Sequence, residues 1–143
     1  MEVSDALDFV SANRNGMLIA LKSGGRPQSS NIVYTMGVGN DAGKILISVT
    51  DGRAKTKNLR CDPRASLHVN RDDFWAYVVI EADVELTPVA TTPGDDTVDQ
   101  LVAYYRSVVG EHESWDKYRQ AMVDDARLIL KLTPTYAYGI LTC

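Results

Sequence analysis

Apolar and polar positions along the chain fall into short runs whose period changes from helical to alternating and back. Ala6, Leu7, Phe9 and Val10 recur at helical spacing behind Ser4, a residue suited to capping, so residues 4–14 read as a short helix stopped by Gly16. MLIALK (17–22) alternates as a strand does and runs into SGGRP (23–27), where glycine and proline mark a turn. In the next strand Ile32, Tyr34, Met36 and Val38 share one face, and GNDAG (39–43) turns the chain again. KILISVT (44–50) sets Ile45, Ile47 and Val49 on one side and Ser48 and Thr50 on the other.

A helix follows as far as Pro63, with Thr50 or Asp51 as its cap, and then a strand over 65–70. The clearest strand is 75–86: Ala76, Val78, Ile80, Ala82, Val84 and Leu86 form one small-apolar face, while Trp75, Tyr77, Val79, Glu81, Asp83 and Glu85 form the other. TPVATTPGDD (87–96) is a loop. Asp95 or Asp96 then starts a helix with Val98, Leu101, Val102, Tyr105, Val108 and Val109 in register. Ser114 caps another helix bearing Trp115, Tyr118 and Met122, and a last strand covers about 127–140 with Leu128, Leu130 and Leu132 alternating. The count is six strands and a few short helices in a single domain, 1–143, with hairpin spacing that implies antiparallel pairing. Closing such a sheet into a barrel removes its edges.

With 143 residues, 45% of them hydrophobic, the chain can build one real core without a disulfide or a structural metal. Cys61 and Cys143 are far apart and share no spacing with a histidine, so a disulfide framework or zinc site is not expected and a reducing compartment fits. The acidic first fourteen residues carry no long apolar run, and no stretch reaches 18 apolar residues. The expectation is a cytoplasmic protein that enters no membrane.

The net charge of −4 argues against a general nucleic-acid binder, but its distribution says more. Residues 53–64, RAKTKNLRCDPR, hold Arg53, Lys55, Lys57, Arg60 and Arg64 against Asp62 alone, so this segment is +4 and the rest of the chain −8. A cationic patch on an acidic protein suits a specific small anion. A phosphate at the start of this helix would meet free backbone N–H groups, with Arg53 and Lys55 beside it. Helical spacing puts Arg53, Lys57 and Arg60 on one face and Lys55 with Leu59 on another, so all five cannot grip one group. The alternative is a solvated basic helix with Leu59 in the core.

Gln28, Ser30 and Asn31 at one strand start, and Ser48 and Thr50 at another strand end, either read the edge of a heterocycle or are ordinary strand-end polarity. Trp75 and Tyr77 either flank a planar ring or pack across a subunit interface. Gly37-Val38-Gly39 runs into a turn and is no dinucleotide fingerprint, and His112-Glu113 lacks the second histidine of a zinc-protease motif. No nucleophile, triad or paired carboxylate stands out. A protein with an anion site but no acid, base or nucleophile can take its reactivity from a cofactor.

Three stretches carry a family resemblance. GMLIALKSGGRPQSS (16–30) resembles the opening hairpin of the pyridoxamine 5′-phosphate oxidase-like family, and RAKTKNLRCDPRASL (53–67) its cofactor-phosphate segment. The latter is similar above all to the actinobacterial branch that uses coenzyme F420, as is YYRSVVGEHESWDKYRQAM (104–122) followed by a strand ending in Tyr-Gly. The resemblance spans about residues 4–140. It implies a six-stranded antiparallel split β-barrel that dimerises, with two cofactor sites at the subunit interface. It makes Arg53 and Lys55 the phosphate binders, with Lys57 nearby. Asn31 and the strand end Ser48, Val49 and Thr50 become ring or linker contacts, and Trp75 and Tyr77 approach from the partner chain. It implies hydride transfer between the cofactor and a small organic substrate. The chain ends YGILTC where true pyridoxamine phosphate oxidases carry an arginine-containing segment, which argues against vitamin B6 oxidation. The basic cluster suits F420, whose tail bears a phosphodiester and several carboxylates; FMN is the alternative cofactor, and a non-catalytic F420 carrier the alternative role.

Overall fold

The computed structural model describes residues 1–141, so Cys143 lies outside the described residues. Helix α1 (Val3–Ser11) is followed by strands β1 (Asn15–Leu21), β2 (Pro27–Val33) and β3 (Thr35–Met36), a short 3₁₀ turn (Gly39–Asp41), and β4 (Ile45–Thr50). Then come helix α2 (Ala54–Cys61), β5 (Arg64–Asn70), β6 (Tyr77–Leu86), helices α3 (Asp96–Val108) and α4 (Trp115–Asp124), and β7 (Arg127–Ile140). Every strand pairing is antiparallel, in the order β2-β1-β5-β6-β7-β4-β3.

The two ends of that order are consecutive in the chain. β2 pairs with β1 and β3 with β4, so the sheet curls and closes covalently through Tyr34. This corner is why seven strand segments stand where six were expected: the strand through Ile32, Tyr34 and Met36 changes partner half-way. Tyr34 is buried, and its hydroxyl donates to the Val10 carbonyl at 2.6 Å, tying the corner to α1. Val38, placed on the same face by alternation, is instead 82% exposed beyond the end of β3. The chain turns sharply there: a Cβ on Gly37 would stand 2.2 Å from the Asp41 carbonyl oxygen.

The core fills the inside of the curl. Leu18 and Ala20, Ile45, Ile47 and Val49, Leu67 and Val69, Val78 and Ile80, and Leu128, Leu130 and Leu132 alternate inward from their strands. Ala6 and Val10 of α1 and Leu59 of α2 pack onto the same cluster. A smaller cluster on the outer side of β7 joins Ile129 to Val98, Leu101 and Val102 of α3 and Tyr118 of α4.

Helix starts follow sequence logic in part. Asp95 caps α3 by accepting from the Val98 N–H at 2.8 Å. Ser114 is the N-cap of α4 by position but makes no side-chain cap bond. At α2 the N-cap is Arg53, not Thr50 or Asp51. The Thr50 carbonyl instead accepts the Thr56 hydroxyl at 2.8 Å, and Asp51 pairs with Arg60. Among the described residues no helix is long and apolar enough to cross a membrane.

Candidate functional site

The barrel is split along one line. Extending the β3–β4 register would set Ser48 opposite Val33, yet among the described residues no backbone ladder joins β2 to β4. The Val33 carbonyl accepts the hydroxyl of Tyr104, on α3, at 2.8 Å. A side chain thus takes the acceptor that a continued ladder would have used, and a cavity of about 430 Å³ opens beside it.

This cavity gathers residues from six elements. Asn31, Ile32 and Val33 come from β2, Ser48 from β4, Lys55 from α2, Tyr104 and Tyr105 from α3, and Tyr118 and Met122 from α4, with Arg127 at the start of β7. Three of the residues expected from sequence, Asn31, Ser48 and Lys55, therefore meet at one place. Arg127 reaches it because it pairs with Thr50 in the β4–β7 ladder, and its Nη1 lies 3.5 Å from the Ser48 hydroxyl.

The charges there are unbalanced. Of the five cations of the basic segment, Arg60 is paired with Asp51 at 2.6 Å and Arg64 with Asp62 at 2.8 Å. Among the described residues Arg53, Lys55 and Lys57 have no carboxylate within 4 Å. Arg53 and Lys57 are exposed and Lys55 half-buried, because Thr56 and Leu59 take the inward face of α2. Burial, then the Arg53 and Arg127 charges, push the Lys55 ammonium below the ordinary lysine range. Burial raises the Tyr104 phenol, with the Ser48 backbone and the Arg127 charge pulling the other way, and pushes Tyr118 up to about 12.

The other expected residues are spread out. Gln28 and Ser30 share the β2 face of buried Ile32, and Gln28 Oε1 and Ser30 Oγ are buried with no hydrogen-bond partner among the described residues. Asn31 points to the opposite face, so these three cannot read one ring edge with their side chains. Val49 is buried in the core, which leaves only its backbone for a ligand. Thr50 offers a carbonyl already used by Thr56. Trp75 lies outside β6 and is 75% exposed, next to Phe74, also exposed and held at a φ of 71°. Tyr77 packs against His68, ring centroids 5.2 Å apart.

A second cavity, about 600 Å³, adjoins the first across Asn31–Val33 and is lined further by Asn15–Met17, His68, Asn70–Asp72 and Phe74. Asn31, Met17, His68, Val79 and Tyr138 stand in one cross-strand row over β2-β1-β5-β6-β7. That outer face goes on through Tyr77 and Ile140, which are cross-strand partners, and Tyr136. Tyr136, Tyr138 and Ile140 are all exposed.

The split barrel is a known architecture. The model of the pyridoxamine 5′-phosphate oxidase family matches residues 4–140. The chain belongs to this split-barrel family. Three solved structures illustrate the likeness. A conserved hypothetical protein from Mycobacterium tuberculosis has a TM-score of 0.74 at 19% identity, covering 98% of this chain and 84% of its own. An F420 reductase has a TM-score of 0.60 at 19% identity, over 87% of this chain and 89% of its own. A heme storage protein from Vibrio cholerae has a TM-score of 0.68 at 12% identity, over 98% and 96%. At these identities what is shared with the three is the fold.

Sequence reasoning missed Arg127 and the cavity role of the tyrosines. Tyr105 and Tyr118 were legible as helix-face residues, and they do pack together, centroids 4.8 Å apart. Nothing in the local sequence distinguishes Arg127 from a surface arginine after Asp124 and Asp125.

Proposed function

We propose that this member of the pyridoxamine 5′-phosphate oxidase family is a cytoplasmic, homodimeric oxidoreductase that binds coenzyme F420. In this reading it passes a hydride between the deazaflavin and a small organic substrate. The observation that carries the proposal is the convergence of Asn31, Ser48 and unpaired Lys55 on one cavity in the split. The residues fit an anionic cofactor: a half-buried lysine without a carboxylate partner and an arginine whose buried Nε lacks a hydrogen bond both suit a phosphate oxygen.

A bound deazaflavin supplies the hydride chemistry itself. The chain's part is to hold and orient. Lys55 anchors the anionic tail, with Arg53 and Lys57 attracting it from solvent. Asn31 offers an amide, and Ser48 a hydroxyl, to the polar edges of the ligand. The trough across Asn31–Val33 gives the ligand room on both sides of β2. Pairing of two copies through the apolar outer face would bury Tyr136, Tyr138 and Ile140 and bring Trp75 and Tyr77 toward the partner's site.

Parallel titrations of the purified protein with F420, FMN and hemin, with sedimentation to fix the assembly state, test this reading. F420 is expected to bind most tightly, to a dimer. Binding of FMN or hemin with no F420 binding refutes it. F420 binding without turnover over a broad substrate panel would make the protein a carrier.

A further inference from the structure

The tyrosine-walled cavity contains an arginine whose polar atoms the fold leaves partly unsatisfied. Among the described residues Arg127 Nε is buried without a hydrogen bond, and the nearest carboxylate oxygen, on exposed Asp125, is 3.7 Å away. Its Nη1 reaches the Ser48 hydroxyl at a long 3.5 Å. The side chain as a whole is 32% exposed, so the guanidinium keeps some contact with water while its buried Nε has no partner among the described residues. Lys55 lines the same cavity, so two cations converge where no carboxylate enters.

The remaining walls have opposite chemistry. Tyr104 and Tyr118 already spend their hydroxyls on the Val33 and Leu101 carbonyls, at 2.8 and 3.0 Å. They present ring surface, and Met122 adds a thioether. Tyr105 and Tyr118 are buttressed from behind by His112 and Trp115, each within 6 Å between centroids. At about 430 Å³ the space falls within the range of small-molecule sites.

We propose that Arg127 and Lys55, with the Ser48 hydroxyl, form an anion receptor in this cavity. Its occupant is an oxyanion, phosphate or carboxylate, carried on an apolar, ring-containing body that lies against Tyr104, Tyr105 and Tyr118. The proposal rests on the reading of this cavity as the ligand site and adds Arg127 and the tyrosine wall to it.

The test is a ligand-observed NMR titration with phenyl phosphate, benzoate, inorganic phosphate and neutral benzyl alcohol. The wild type is expected to bind phenyl phosphate or benzoate more tightly than inorganic phosphate or benzyl alcohol; which of the two wins identifies the oxyanion. Arg127→Gln is expected to weaken that binding about tenfold or more, the loss of one charge-assisted contact, and Arg53→Gln by less than about twofold. Should Arg127→Gln fail to fold, Ser48→Asp, which sets a carboxylate against the guanidinium, must abolish binding. The receptor is overturned if the wild type binds neither aryl anion, if inorganic phosphate binds as well as the tighter of the two aryl anions, or if a folded Arg127→Gln or Ser48→Asp keeps wild-type affinity. Aryl-anion binding without F420 binding would remove the cofactor assignment and leave the receptor; F420 binding with neither aryl anion bound would do the reverse.

Discussion

Lys55 and Arg53 are two residues apart, yet the fold gives them different work, and replacing each with glutamine separates them. Lys55 is half-buried on the cavity wall, whereas Arg53 is exposed at the helix cap. A hydrogen bond from a charged donor in a partly desolvated place is worth about 1.5–3 kcal/mol. With a factor of ten for about every 1.4 kcal/mol, Lys55→Gln should raise the Kd for F420 by roughly 10–150-fold. An exposed charge contributes about 0.2–1 kcal/mol, so Arg53→Gln should cost less than about fivefold. Salt sharpens the contrast. Raising ionic strength from about 0.1 M to 1 M shortens the screening length from about 10 Å to 3 Å, which erases the Arg53 effect and spares most of the Lys55 effect. The same substitution should stabilise the ligand-free protein at pH 7. Burial and then Arg53 and Arg127 lower the Lys55 pKa, so between the folded and unfolded values the unfolded chain binds more protons and stability rises with pH. Below that window the charged lysine costs the fold its full penalty. The advantage of Lys55→Gln in urea denaturation should therefore be present at pH 7 and shrink as the pH rises toward the ordinary lysine value. Fluorescence titration at two salt concentrations checks the binding half. If Lys55→Gln binds F420 like the wild type, or Arg53→Gln loses as much as Lys55→Gln, the assignment of the anchor is wrong.

Two further substitutions probe the frame that holds the site. Tyr34→Phe removes the bond between the barrel corner and the Val10 carbonyl, which keeps its other bond, from the Asn13 N–H at 3.1 Å. It should cost about 0.5–1.5 kcal/mol, or about 2–5 °C in melting temperature by calorimetry, for a domain of this size. At Asp95 burial pushes the carboxyl pKa up, but the Thr91, Val98 and Thr92 N–H groups and the Thr91 hydroxyl outweigh it and hold the pKa below the ordinary value. Its contribution is then present above the unfolded carboxyl pKa of about 4 and lost as pH falls through the folded value. Asp95→Asn keeps an acceptor oxygen without the charge, so its urea midpoint should fall less than that of the wild type between pH 7 and pH 3.

What could be read before the structure was mostly periodicity. The alternation of Ala76, Val78, Ile80, Ala82 and Val84 fixes the inward face of β6, and all five are buried. Val79 falls on the opposite face, yet it too is buried, flanked by its cross-strand partners His68 and Tyr138. The basic segment was legible as a run of charge, but its partners were not. Asp51, nine residues before Arg60, comes into range only when α2 folds back, and that pairing gives Arg60 a carboxylate partner that Arg53, Lys55 and Lys57 lack among the described residues. Arg127 was invisible for the same kind of reason. It stands 72 positions after Lys55, and only the register that sets it against Thr50 brings the two into one cavity.

The corner at Tyr34 closes the barrel through covalent bonds while leaving β2 and β4 without a shared ladder beyond it. Breathing along that line breaks no backbone hydrogen bond between the two strands, so it is a low-cost local opening. A molecule touching Asn31 on one bank and Ser48 on the other works as a clasp: occupancy would stiffen the whole cylinder, and the protein's rigidity would become a readout of its ligand.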